Sequence, residues 1–121
     1  MKVIIVHGFG GIPNGGWFPW LMQELATKNI PAYSFLLPHT KSPQPEEWIK
    51  KIHEEVQDDQ EEIVLLGHSL GVPAILRYLE KYSPQKKLKG LVLVSGLIEP
   101  LEPDNPQSNF RKIDEFVIPE I

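Results

Sequence analysis

The chain has 121 residues, 41% of them hydrophobic and 23% charged, which is the balance of a globular protein with enough length for one domain and a real core. A net charge of −4 with scattered basic residues argues against nucleic acid and against an anionic membrane as partners, because both require a basic surface. The absence of cysteine excludes disulfide, zinc-thiolate and thiol chemistry.

In chain order, Val3-Ile4-Ile5-Val6 is a short β-branched run of the kind buried on both faces in a parallel sheet. It is cut by His7-Gly8, far short of a signal sequence or of the ~20 apolar residues of a membrane span, so a cytoplasmic location is expected. A glycine-rich loop follows, from His7-Gly8-Phe9-Gly10-Gly11 to Gly15-Gly16. The spacing of Trp17, Trp20, Leu21 and Leu25 then predicts a helix over about residues 17–28 with those four on one face. Residues 31–37 read as a second strand closed by Pro38. After a Ser- and Pro-rich loop, Pro45 marks a first helical position, with Glu46 and Glu47 at the positive helix end and Trp48, Ile49, Ile52 and Val56 as the apolar stripe.

Ile63-Val64-Leu65-Leu66 is the third strand, residues 70–82 the third helix, and Leu91-Val92-Leu93-Val94 the fourth strand. The basic cluster Lys86-Lys87-Leu88-Lys89 reads as a solvated connection. Strands alternating with helices predict an α/β fold with a doubly wound, mainly parallel sheet. Past residue 96 the alternation stops. Glu99 to Pro106 is an acidic, proline-rich loop, and Phe110, Ile113, Phe116 and Val117 carry only a weak helical pattern. The expectation is one domain over 1–121 whose residues 97–121 form an irregular or helical tail. The fourth strand is apolar on both faces and would be left with an open edge. Either the tail folds back over that edge or two chains join through it as a homodimer.

Gly67-His68-Ser69-Leu70-Gly71 carries the chemistry. It follows a buried strand and opens a helix, the context in which Gly-x-Ser-x-Gly lifts a nucleophilic hydroxyl above a strand end. Gly67 and Gly71 lack the Cβ that would keep strand and helix apart. The backbone N–H of Leu70 and the positive helix end face a negative charge developing at Ser69. A second donor is expected from the loop after the first strand, at the backbone N–H of Phe9, with Gly8 and Gly10 allowing the bend and Gly10 as substitute donor. A dinucleotide loop beginning Gly8-Phe9-Gly10 is the rival, but Pro13 stands where the third glycine is needed.

These pieces together resemble a family. The His-Gly-x-Gly-Gly loop, Trp17-x-x-Trp20-Leu21, Gly-His-Ser-Leu-Gly before Arg77-Tyr78, and Val94-Ser95-Gly96 are similar to small serine hydrolases of the retinoblastoma-binding protein nine type, within the α/β-hydrolase superfamily. The resemblance covers roughly residues 1–100. It implies strand order 2-1-3-4, with the first and third strands side by side under the active site. It also implies a Ser-His-Asp triad acting on a small acyl substrate, with no metal and no cofactor. The family places its acid and histidine after a further strand and on a later loop, so Ser69 is carried over and neither partner is; the C-terminal part of the fold is expected to be missing.

The four histidines do not fill the gap. His68 is expected to turn away from the hydroxyl, His7 to pack under the oxyanion loop through hydrogen bonds, and His53 to lie on a helix surface. His39, after the second strand at the catalytic end of the sheet, is the candidate replacement base, although two strand spacings of ~4.8 Å separate it from the nucleophile strand. Glu99 and Glu102 read as loop charges, Asp114 and Glu115 as helix-surface charges. Phe9, Trp17, Phe18 and Leu70 suggest an apolar rim. Two functions follow: a serine hydrolase with Ser69 as nucleophile, or a hydrolase-derived domain that binds without catalysis.

Overall fold

The computed structural model describes residues 1–56, 61–82 and 88–95. In chain order it contains β1 (Lys2–Val6), α1 (Phe18–Thr27), β2 (Ala32–Ser34), α2 (Pro45–Val56), β3 (Ile63–His68), α3 (Gly71–Tyr82) and β4 (Leu88–Val94). The strands form one parallel sheet, as the alternation of strands and helices predicts, in the order β2-β1-β3-β4 that the family resemblance implies. Ile5 lies opposite Leu66 and Val6 opposite Gly67, so the two central strands end flush. The loop after Val6 and the turn after His68 therefore leave the sheet side by side.

The alternation of side chains along β1 divides the core. Ile4 and Val6 point to one face, where they meet Leu65 and the apolar stripes of α2 and α3. Val3 and Ile5 point to the other face, against Leu66 and α1. The whole predicted stripe of α2 is buried. Helix α1 stops at a left-handed Asn29, where the N–H groups of Ile30 and Asn29 return to the carbonyls of Leu25 and Ala26. This is the Schellman closure, completed by apolar contact of Leu25 and Ile30 with the same cluster.

Four expectations are corrected. Trp20 is 64% exposed, so Trp17 and Leu21 hold α1 to the sheet without it. β2 has three residues where seven were expected, because after Ser34 the chain leaves the ladder while Phe35 and Leu37 still turn into the core. β4 begins at Leu88, within the basic cluster, after a register shift at Ile63 and Val64 that lets Leu88 pack inside. His53 is no solvated surface residue: its ring stacks on Tyr82 with centroids 3.8 Å apart. Among the described residues no helix is long and apolar enough to cross a membrane. The expected tail, residues 97–121, lies outside the described residues.

Candidate active site

Ser69 has φ +54°, the left-handed region that costs an L-residue about 1–2 kcal/mol. The surrounding backbone holds it there. Its N–H donates to the carbonyl of Val94 at 2.9 Å, and its own carbonyl accepts from Val72 N–H at 3.1 Å. The flanking glycines are required by contact. A Cβ on Gly71 would run into the carbonyl oxygen of Val6, and one on Gly67 would come within 2.8 Å of Ile75 Cδ1 and 3.0 Å of the Gly71 backbone. Helix α3 thus starts pressed against the end of β1, with its positive end beside the serine.

The glycine loop closes on the same turn. A Cβ on Gly8 would lie 3.0 Å from Ser69 Cβ and 3.3 Å from Leu70 N, so only glycine lets the loop approach this closely. Gly10 has φ +64°, and its N–H is committed to the carbonyl of Thr40 at 2.8 Å, which leaves it unsuited as a substitute donor. Among the described residues neither the N–H of Phe9 nor that of Leu70 has a hydrogen-bond partner. Two backbone donors therefore flank the elbow unsatisfied, which for ordered amides calls for a ligand or water.

Above them opens a cleft of about 390 Å³, lined by Ser69, His68, residues 7–12 and 15–16 of the glycine loop, and Trp17 and Phe18 at the start of α1. Phe9, Trp17 and Phe18 supply the expected apolar wall. Leu70 does not: its side chain is fully buried in the core beneath α3, and only its N–H belongs to the site. Ile12, more than half exposed at the mouth, was not foreseen, because nothing in a Gly-Ile-Pro turn marks which way its side chain points.

The histidines separate clearly. His7 is buried, hydrogen-bonded to the carbonyl of Gly8 and to the N–H of Leu37, which agrees with its expected place beneath the loop. Burial pushes its pKa below the ordinary histidine value, and the bond to Gly8 opposes this in part. His68 turns toward α1, its ring edge-on to Trp17 at 5.4 Å and to Phe18 at 6.0 Å. His39 is not placed as a base: its side chain is 67% exposed and pairs with Glu47 at 3.0 Å, outside the residues that line the cleft. The loop that carries His39 meets the glycine loop through the carbonyl of Thr40, which accepts from Gly10 N–H. No carboxylate is among the described residues lining the cleft. Glu99, Glu102, Asp114 and Glu115 lie outside the described residues. Among those described, no cluster of acidic and histidine side chains could hold a metal ion.

Comparison with known proteins gives a consistent set. The serine hydrolase family matches residues 3–119. YdeN of Bacillus subtilis is 34% identical over 115 residues, covering 95% of this chain and 57% of YdeN. Its crystal structure superposes with a TM-score of 0.74 at 30% identity, over 93% of this chain and 59% of that one. Serine hydrolase RBBP9 of Rattus norvegicus is 28% identical over 113 residues, covering 89% of this chain and 57% of its own length. A monoacylglycerol lipase of Paleococcus ferrophilus superposes with a TM-score of 0.68 at 28% identity, over 85% of this chain and 42% of the lipase. The chain spans less than two thirds of the curated relatives it matches.

Proposed function

The chain belongs to the serine hydrolase family, and we propose that it contributes the nucleophile and the oxyanion site of an enzyme that hydrolyses esters or related acyl compounds. Ser69 Oγ attacks the acyl carbon while its proton passes to a general base. The carbonyl oxygen takes up the negative charge between the N–H groups of Phe9 and Leu70, each such donor being worth about 10²–10³-fold in rate. Collapse releases the alcohol, which takes the proton from the base. Water then gives a proton to the same base as it attacks the acyl-serine, the acid leaves, and Ser69 Oγ recovers a proton from the base. The base and its carboxylate partner are assigned to residues other than those described.

One observation carries this reading: a backbone-strained serine at the floor of a cleft, flanked by two amide donors without partners. The apolar wall of Phe9, Trp17 and Phe18 favours an apolar acyl group, in keeping with the lipase among the structural relatives. A fluorophosphonate probe tests it: the probe labels the protein and fails on Ser69→Ala. An unlabelled native chain would instead favour the non-catalytic binding domain. Without a base, residual catalysis of about 10³–10⁴-fold over water is expected of an oxyanion site alone, measurable with an activated ester.

The single domain over 1–121, the cytoplasmic location and the homodimer remain parts of this proposal. Exposed Val92 and Leu93 on β4, one of the two outer strands of the described sheet, support edge-to-edge pairing. A strictly monomeric mass at high concentration would remove the homodimer.

A further inference from the structure

We propose that His7 is the positioning residue of the oxyanion site: it grips the carbonyl of Gly8 and so aims the N–H at the other side of the same peptide unit, that of Phe9, at the reacting oxygen. This rests on the roles of Ser69 and Phe9 proposed above. The tautomer follows from the contacts. Leu37 N–H donates to His7 Nε2 at 3.0 Å, so that nitrogen carries no proton. The proton of the neutral ring is then on Nδ1, which donates to the Gly8 carbonyl at 2.9 Å. The same carbonyl accepts from Gly11 N–H at 3.0 Å.

The peptide joining Gly8 to Phe9 is trans, so its C=O and N–H point in opposite directions. Two donors on the oxygen therefore set the direction of an N–H that has no partner of its own among the described residues. A hydrogen bond to the carbonyl also polarises the peptide and strengthens that N–H as a donor. The ring is itself held, edge to face with Trp48 at 5.9 Å, while Trp48 Nε1 donates to the Pro38 carbonyl at 2.7 Å. Gly11 makes room for the arrangement, since a Cβ there would come within 2.8 Å of His7 Nδ1. From buried Leu37, three residues past the end of β2, hydrogen bonds run through the imidazole to the peptide unit that carries the N–H of Phe9.

The test uses the full chain. Nitrogen-15 NMR of the native imidazole is expected to show the proton on Nδ1; a proton on Nε2 overturns the proposal. Fluorophosphonate labelling of Ser69 is expected to slow at least about tenfold in His7→Phe, which keeps the shape and neither bond. His7→Asn, whose amide N–H stands near the Nδ1 position, recovers part of the rate, and His7→Gln, which reaches only toward Leu37, does not. Native labelling rates in His7→Phe, or recovery by Gln in place of Asn, overturn the proposal. If the native chain is not labelled at all, the Ser69 reading fails by itself. Amide exchange then decides for His7: faster exchange at Gly10 and Gly11, the hydrogen-bonded amides of the loop, in folded His7→Phe supports the grip, and unchanged exchange refutes it.

Discussion

The two faces of the sheet are built differently. On one, α2 and α3 close over Ile4, Val6, Ile63 and Leu65 with Trp48, Ile52, Ile75, Tyr78 and Leu79, all essentially without exposed surface. On the other, α1, the one helix there among the described residues, covers Val3, Ile5 and Leu66 with one buried residue, Phe18, and several half-exposed ones. The cleft lies on this thinner side, between the start of α1 and the glycine loop. The difference is one of task. The dense face supplies the burial that offsets chain entropy, and seats the start of α3 so that backbone hydrogen bonds can hold Ser69 in its strained conformation. Among the described residues the sparse face leaves room above the Ser69 hydroxyl. Stability and chemistry are thus segregated across a sheet one residue thick.

Two tryptophans put the comparison to its hardest test. Trp48→Ala removes a fully buried indole and its hydrogen bond, and is expected to cost about 3–5 kcal/mol. Trp20→Ala removes an exposed indole of the same size, and should change stability by no more than about 0.5 kcal/mol. Leu21→Ala, half-buried under α1, is expected between them at about 1–2 kcal/mol. Urea unfolding of the three variants measures the order. Equal losses at Trp20 and Trp48 would mean that the two faces share the load.

A smaller effect separates the faces by pH. His7 is neutral in the fold, with its pKa below the ordinary 6.5 because of burial. Below about pH 6.5 the unfolded chain takes up a proton at this position that the folded chain refuses, so stability falls with falling pH until the folded value is passed. Melting temperatures of the native chain and His7→Asn, followed from pH 7.5 to pH 5, should therefore converge on the acid side. A constant gap across that range would show that His7 is not held neutral.

The fold was legible because its signals are local. Continuous β-branched runs, the Pro45 start with Trp48, Ile49, Ile52 and Val56 behind it, and a glycine–serine turn between strand and helix each declare themselves within a dozen residues. So was the elbow, since a left-handed serine between two residues that cannot carry a Cβ is a property of five consecutive positions. What was misread depends on contacts distant in the chain. Trp20 has helical spacing, but the side of α1 that packs on the sheet is formed by Trp17, Phe18, Leu21, Met22 and Leu25, and Trp20 falls outside it. The strand expected over 31–37 stops at Ser34, because the N–H of Leu37 goes to His7, thirty residues away. Leu70 reads as rim by proximity to the serine, yet its side chain falls on the core side of the turn. The clamp of His7 on Gly8 has no spacing signature, since its meaning comes from a peptide unit shared with Phe9.

The smallest effect expected is at His39, and it bears directly on what the site lacks. His39 has φ +50°, a conformation that asparagine tolerates better than histidine, and its partner Glu47 is itself well exposed. His39→Asn loses a surface pair worth at most about 1 kcal/mol and relieves backbone strain of similar size, so stability should change by no more than about 0.5 kcal/mol. The substitution keeps the backbone turn, and with it the carbonyl of Thr40 that holds Gly10. Fluorophosphonate labelling of Ser69 should accordingly stay within twofold of native, since an imidazole paired to Glu47 at the surface takes no proton from the cleft. A tenfold loss of labelling in a variant of native stability would return His39 to the role of base and require the loop after Pro38 to swing over the serine during reaction.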